Sequence, residues 1–351
     1  METQTILAIL LEAVIKVTVV VSMVLTLAAA EVWLERKVSA WIQNRVGPNR
    51  VGPFGLLQPF ADVVKLFMKE DIIPSAASKN FHRLAPFISL VAAIAVYAVI
   101  PFADSFELNG RTIHMGVAPN INIGLLYILA VTSIGVYGIT LAGWSSNNKY
   151  SLLGGLRAAA QMISYELAMG LSLIGVVLIA GSVNINDIVR GQAGSILYWN
   201  VWIQPIGFLI FLTSAFAETN RAPFDLPEAE PELVGGFNTE YTGMKFGMFF
   251  LAEYANMATA SAFMSLMYFG GWSLPFSHEL IGLEQGSITL ALAQFGMFTL
   301  KLFAFLFFFV WVRWSIPRFR YDQLMSFGWK ILLPTAIINV FVTALFIVLS
   351  L

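Results

Sequence analysis

Eight stretches of this chain are apolar over about the 20 residues that a helix needs to cross a bilayer: 6–33, 84–102, 123–143, 158–181, 201–217, 244–270, 289–312 and 331–349. Nothing else in the sequence constrains the fold as strongly. Only 12% of residues are charged and 58% are hydrophobic, against about 25% charged in ordinary soluble domains. The expected fold class is all-α: a polytopic membrane protein of about eight transmembrane helices in one membrane domain, residues 1–351. Pro205 lies inside the shortest span and is expected to kink it. Residues 1–5 lack the basic stretch of a cleavable signal, so the first span is expected to be retained.

Lysine and arginine set the orientation. The first connection, 34–83, alone holds Arg36, Lys37, Arg45, Arg50, Lys65, Lys69, Lys79 and Arg83, whereas the connections after spans two, four and six hold only Arg111 and Arg190. The excess of positive charge on cytoplasmic loops then places both termini on the periplasmic side. A net charge of -1 leaves no footprint for nucleic acid. With no cysteine there is no disulfide and no thiolate ligation of a metal or iron–sulfur cluster, and the three histidines are scattered. No metal site is expected. Any electrons handled here belong to a partner or to a diffusing substrate.

Two parts of the first connection stand out. Arg45-Val46-Gly47-Pro48 recurs as Arg50-Val51-Gly52-Pro53, a fixed pair of turns carrying cations, either for lipid headgroups or for docking. Over 56–69, Gln58, Asp62, Lys65 and Lys69 fall on one helical stripe, while Leu56, Leu57, Phe60, Val63, Val64 and Phe67 fill the other side. Pro59 suits an early helical position. Too short to span, this helix is expected to lie amphipathically at the cytoplasmic interface. It is either a surface anchor or a lip over an opening through which an apolar molecule enters.

The most acidic stretch is 218–243. Between Ala217 and Tyr241 it carries Glu218, Asp225, Glu228, Glu230, Glu232 and Glu240, with Arg221 among them. A solvated loop is the plainer reading. The acids continue into the spans, however, as Glu166 and Glu253, which makes a proton or ion path the better one. A charge at the bilayer centre costs roughly 2.5–3.5 kcal/mol on insertion scales, so such residues mark function by default. Glu12 and Lys16, one turn apart in the first span, read as a structural ion pair. Glu31 and Glu35 share a face at the end of that span, and Lys301 lies in the seventh span without an obvious partner.

Several long segments resemble one family. They are Glu35-Arg36-Lys37, Arg45–Asn49, Gly52–Asp62, Ala217–Tyr241, Ala252-Glu253-Tyr254 and Arg313–Gln323. They are similar to the membrane subunit of respiratory complex I that is designated H in bacteria and 1 in mitochondria. The resemblance covers the whole chain. It implies a subunit of a proton-translocating NADH:quinone oxidoreductase that joins the membrane arm to the hydrophilic arm. Such a subunit forms the entrance of the quinone chamber and an acidic cavity leading toward antiporter-like subunits. By the same resemblance, Arg36 and Asp62 line the quinone path, and Arg313 and Arg318 are cations beside the chamber; the 56–69 helix adds Phe60 and Lys65 at its apolar entrance. Proton coupling falls to Glu166, Glu218, Asp225, Glu228, Glu230, Glu232 and Glu253, with Arg221. Quinone is then a substrate, and flavin and iron–sulfur clusters sit on partner subunits. The implied partners are the quinone-site subunits of the hydrophilic arm, the small and antiporter-like membrane subunits, and lipid. The implied location is the bacterial inner membrane, or the mitochondrial one for an organellar chain. A membrane-bound hydrogenase subunit on the same scaffold, or a proton-coupled secondary transporter, is the alternative.

Overall fold

A computed structural model describes residues 2–108, 110–226, 230–277 and 282–350. Thirteen helices and one hairpin follow in order among them. They are α1 (Glu2–Ile42), α2 (Gln58–Met68), α3 (Lys79–Ala95), β1 (Phe106–Leu108), β2 (Arg111–Ile113), α4 (Gly124–Ser145), α5 (Lys149–Ala180), α6 (Ile185–Gly191) and α7 (Asn200–Ile203). Then come α8 (Pro205–Glu218), α9 (Glu230–Leu233), α10 (Gly243–Tyr268), α11 (Ile288–Ser315), α12 (Tyr321–Phe327) and α13 (Leu333–Ser350). The strands pair antiparallel, with Phe106 opposite Ile113.

Six of these helical segments are long and apolar enough to cross a membrane: Leu10–Ile42, Lys79–Ala98, Gly124–Ser145, Lys149–Ala180, Ile288–Ser315 and Tyr321–Leu349. The other two expected spans coincide with α8 and α10. The kink expected at Pro205 is a break: α7 ends at Ile203, Gln204 leaves helical geometry (φ −123°, ψ 53°), and Pro205 starts α8. That leaves α8 only 14 residues, about 21 Å at 1.5 Å per residue. α10 is long enough, but Glu253, Asn256, Thr259, Ser261 and Ser265 dilute its hydropathy. It is the central helix, buried through most of its length, and packs on α1, α3 and α11. Small and hydroxylated residues suit a helix whose neighbours are other helices rather than lipid.

Helices outrun their apolar stretches. α1 runs to Ile42, nine residues past the expected end, because the charged Glu35-Arg36-Lys37 turn ends the hydropathy and not the helix. α5 begins at Lys149, where the side chain of Asn148 accepts from Tyr150 N, and stops at Gly181 in the left-handed conformation. The first connection is therefore shorter than 34–83, covering 43–78. Within it α2 forms where the sequence pattern places it, with Pro59 in its first turn.

Glycine sets two close approaches. At Gly138, where α4 meets α3, a Cβ would strike Ser89 Oγ and lie 3.0 Å from Ala85 O. At Gly154, on α5, a Cβ would lie 2.8 Å from Gly236 Cα, so the acidic segment packs directly on this helix.

Candidate functional site

Four elements bring their charges together around Arg221. After α8, Thr219 bonds back to Ala215 O, and Asn220 turns the chain in a left-handed conformation. Gln161 of α5 then ties the turn down, its Nε2 donating to Ala217 O at 2.8 Å and to Phe224 O at 2.9 Å. So held, the buried Arg221 guanidinium points into the bundle. Its Nη1 lies 3.2 Å from both carboxylate oxygens of Glu35 on α1, and its Nε 2.8 Å from Glu253 on α10. It also stands 4.7 Å over the ring of Tyr254, an arrangement worth more when desolvated. Tyr254 donates its hydroxyl to Glu35 at 2.7 Å. Arg313, from α11, makes a second ion pair with Glu35. Two arginines thus face two glutamates, and the cluster is neutral as a set.

A second group lies beside it. Glu166 of α5 accepts a hydrogen bond from Ser133 on α4. Glu218, at the end of α8, is within hydrogen-bonding reach of Thr132 and electrostatic reach of Glu166. It lines two small cavities that also share Thr219 and Asn256. One, of about 30 Å³, runs toward Leu129, Thr132 and Met169. The other, of about 40 Å³, runs toward Asn238 and Glu253. Each has room and polar partners for at least one water, which takes about 10–15 Å³. Glu218 and Glu253 thereby face one polar gap, and Glu166 stands within electrostatic reach of Glu218.

The remaining acids of the segment take partners of their own. Asp225 pairs with Arg318 at 2.8 Å, and Glu232 with Arg157 at 2.6 Å. Glu240 accepts from Asn148 at 2.6 Å. Glu228 and the side chain of Glu230 lie outside the described residues. Within this segment, burial pushes the Tyr241 hydroxyl up to about 12, and His82 stacks on its ring at 4.0 Å.

The expected quinone-path residues form a separate patch. Arg36 of α1 pairs with Asp62 of α2 at 2.6 Å, and Gln58 donates to Asp62 at 3.2 Å. Phe60, Val63, Val64 and Phe67 stand exposed on α2, as does Lys65. Arg313 alone of that set reaches the Arg221 cluster. α2 therefore carries an uncovered apolar face beside a paired charge.

Sequence reasoning left two buried contacts unassigned. Glu35, grouped with Glu31 on one face but given no role, is where both arginines meet. Its signal was an acid within the helix four residues after another, on the inward side. Lys301 does have partners: its ammonium donates to the carbonyls of Phe269 (2.8 Å), Gly271 (2.9 Å) and Ser273 (2.9 Å), and lies 4.6 Å over Trp199. Carbonyls at a helix end are invisible in a pattern of side chains, though the Gly270-Gly271 pair marks where α10 must stop. Glu12 and Lys16 pair at 2.7 Å, as their spacing implies.

Residues 15–344 match the NADH dehydrogenase family. The H subunit of NADH-quinone oxidoreductase from Salinibacter ruber is 55% identical over 335 residues, covering 94% of each chain. The chain belongs to the family of this H subunit. Subunit 8 of the same oxidoreductase from Rhodothermus marinus is 56% identical over 339 residues, covering 95% of this chain and 96% of its own. One of the H subunits from Cytophaga hutchinsonii is 53% identical over 340 residues, covering 97% and 98%. The family match, 15–344, includes every element that positions the Arg221 cluster.

Proposed function

We propose that this chain is a membrane subunit of a proton-translocating NADH:quinone oxidoreductase, in which it couples quinone reduction to proton movement without carrying electrons itself. The Arg221 cluster carries the reading. A buried guanidinium shared by Glu35 and Glu253, next to Glu218 across a polar gap, is a set of charges whose balance one added proton would change. Groups that are desolvated and close together respond strongly to a charge nearby, because screening by water is weak there.

The quinone enters at the level of α2. Its isoprenoid tail is apolar and suits the exposed face of Phe60, Val63, Val64 and Phe67, with Lys65 and the Arg36–Asp62 pair at the edge. Reduction of the head, by electrons from flavin and iron–sulfur clusters on partner subunits, places negative charge near Arg313 until protons are taken up. That charge competes with Glu35 for Arg313. Glu253, Glu218 and Glu166 then readjust their protons, and the loop acids Asp225, Glu228, Glu230 and Glu232 supply them from the cytoplasmic side. This is coupling between two sites through one shared charge balance. The quinone-site and antiporter-like subunits sit at its two ends, and both chain termini face the periplasm.

Affinity purification of the tagged chain in mild detergent tests the assignment. The expected preparation contains flavin and iron–sulfur clusters and oxidises NADH in a quinone-dependent way. A nickel-containing partner with hydrogen exchange would assign the chain to a hydrogenase instead. Substrate flux by the isolated chain would make it a transporter.

A further inference from the structure

Glu31 is a buried acid that the coupling scheme leaves without a part. It stands one turn before Glu35 on α1, a spacing that brings Cβ atoms to about 5–6 Å. It is fully buried, and neither carboxyl oxygen has a hydrogen-bond partner. Arg221 is the cation within electrostatic reach, and Tyr97 and Tyr254 are the nearby hydroxyls. Tyr97 is committed to Ala255 O at 3.0 Å, and Tyr254 to Glu35.

The charged groups on the elements packed against α1 are engaged elsewhere or face outward. α11 offers Arg313, on Glu35, and Lys301, on three carbonyls. α10 offers Glu253, on Arg221, and Lys245, on Asp71 at 2.9 Å. α2 offers Asp62, on Arg36, and the exposed Lys65. Two arginines already balance Glu35 and Glu253. A third carboxylate, fully buried and without a hydrogen bond, would be an uncompensated charge. Glu31 therefore belongs in this arrangement with its proton on.

We propose that Glu31 and Glu35 share one proton and that Arg221 follows the negative charge between them. The inference rests on the coupling role proposed above and adds a residue to it. At rest the proton is on Glu31, and Glu35 is the carboxylate. When a negative charge on the reduced quinone draws Arg313 away, Glu35 is left with only its share of Arg221. The Glu31 side chain then turns to donate a hydrogen bond to Glu35, the proton passes along it from the Glu31 carboxyl to the Glu35 carboxylate, and Nη1 of Arg221 turns from Glu35 to Glu31. One O–H bond breaks and one forms, and the net charge of the pair is unchanged. The released Arg313 and the reoriented Arg221 are what Glu253 and the rest of the acid line sense.

Glu31→Met and Glu31→Gln in the native complex test this. Met fills the same space without a polar group, and Gln keeps the shape without a titrating proton. Because Glu31 makes no hydrogen bond, both variants are expected to assemble. Coupled proton movement per NADH oxidised is expected to fall several-fold. The redox-induced infrared difference spectrum is expected to lose the paired gain and loss of protonated-carboxyl bands. Wild-type coupling with the bands intact would overturn the inference, as would failure of both variants to assemble, which would make Glu31 purely structural. Glu253→Gln separates the two levels. If it abolishes coupling while both Glu31 variants behave as wild type, only the shared proton is wrong. If it too is silent, the coupling role itself falls.

Discussion

Arg221 and Glu35 meet at 3.2 Å inside the bundle although 186 residues separate them in the chain. Both side chains are almost fully buried, at 7% and 10% exposure. Removing one partner from a buried ion pair leaves an uncompensated charge and typically costs about 3–5 kcal/mol. Arg221→Gln is expected to lose stability in that range, read as a lowered midpoint of detergent-induced unfolding of the complex. Arg221→Lys keeps the charge but not the fork that serves Glu35 and Glu253 together, so its midpoint should lie between Gln and wild type.

Lys301 uses all the donors of an ammonium on the chain that leaves α10. Lys301→Met strands three carbonyls, at about 1–3 kcal/mol for a buried polar group left without a partner. Amides from Phe269 to Ser273 should exchange hydrogen faster in the variant, while those in the middle of α10 stay protected. Unchanged exchange at those amides would show that the lysine does not hold this turn.

Gly138→Ala places a methyl against Ser89 and Ala85. Overpacking of this kind costs about 1–3 kcal/mol. The loss should be rescued in part by Ser89→Gly, which removes the oxygen that the methyl strikes. Additive losses in the double variant would mean that the two helices do not meet there.

Arg36 and Asp62 separate stability from function. Their pair is only partly buried, at 43% and 30% exposure, so Arg36→Gln or Asp62→Asn should change stability by less than about 1 kcal/mol. In the proposed role, each should nevertheless raise KM for quinone while NADH oxidation by an artificial acceptor is unaffected. A KM equal to wild type in both would remove this pair from the quinone path.

Much of the architecture was legible in the sequence for a simple reason: apolar length, proline and charge spacing act locally. They placed α2 with Pro59 in its first turn, a distortion at Pro205 and the Glu12–Lys16 pair. The three-residue strands of the hairpin are too short to carry a pattern. Where α1 ends was misjudged because hydropathy marks lipid contact and helix formation does not depend on it. The site was legible as a list of residue types and not as a set of partners. That Glu35 takes both Arg221 and Arg313, or that Asp225 and Glu232 pair separately at the edge, depends on packing between distant elements.

Glu218 is the sharpest point at which to test the account, since it lines both small cavities, one of which it shares with Glu253, and lies within electrostatic reach of Glu166. The decisive measurement is proton uptake or release per NADH oxidised in vesicles carrying the complex with Glu218→Gln. The account predicts an assembled complex that still passes electrons from NADH to an artificial acceptor and moves far fewer protons with quinone. Wild-type proton movement in that variant would contradict it.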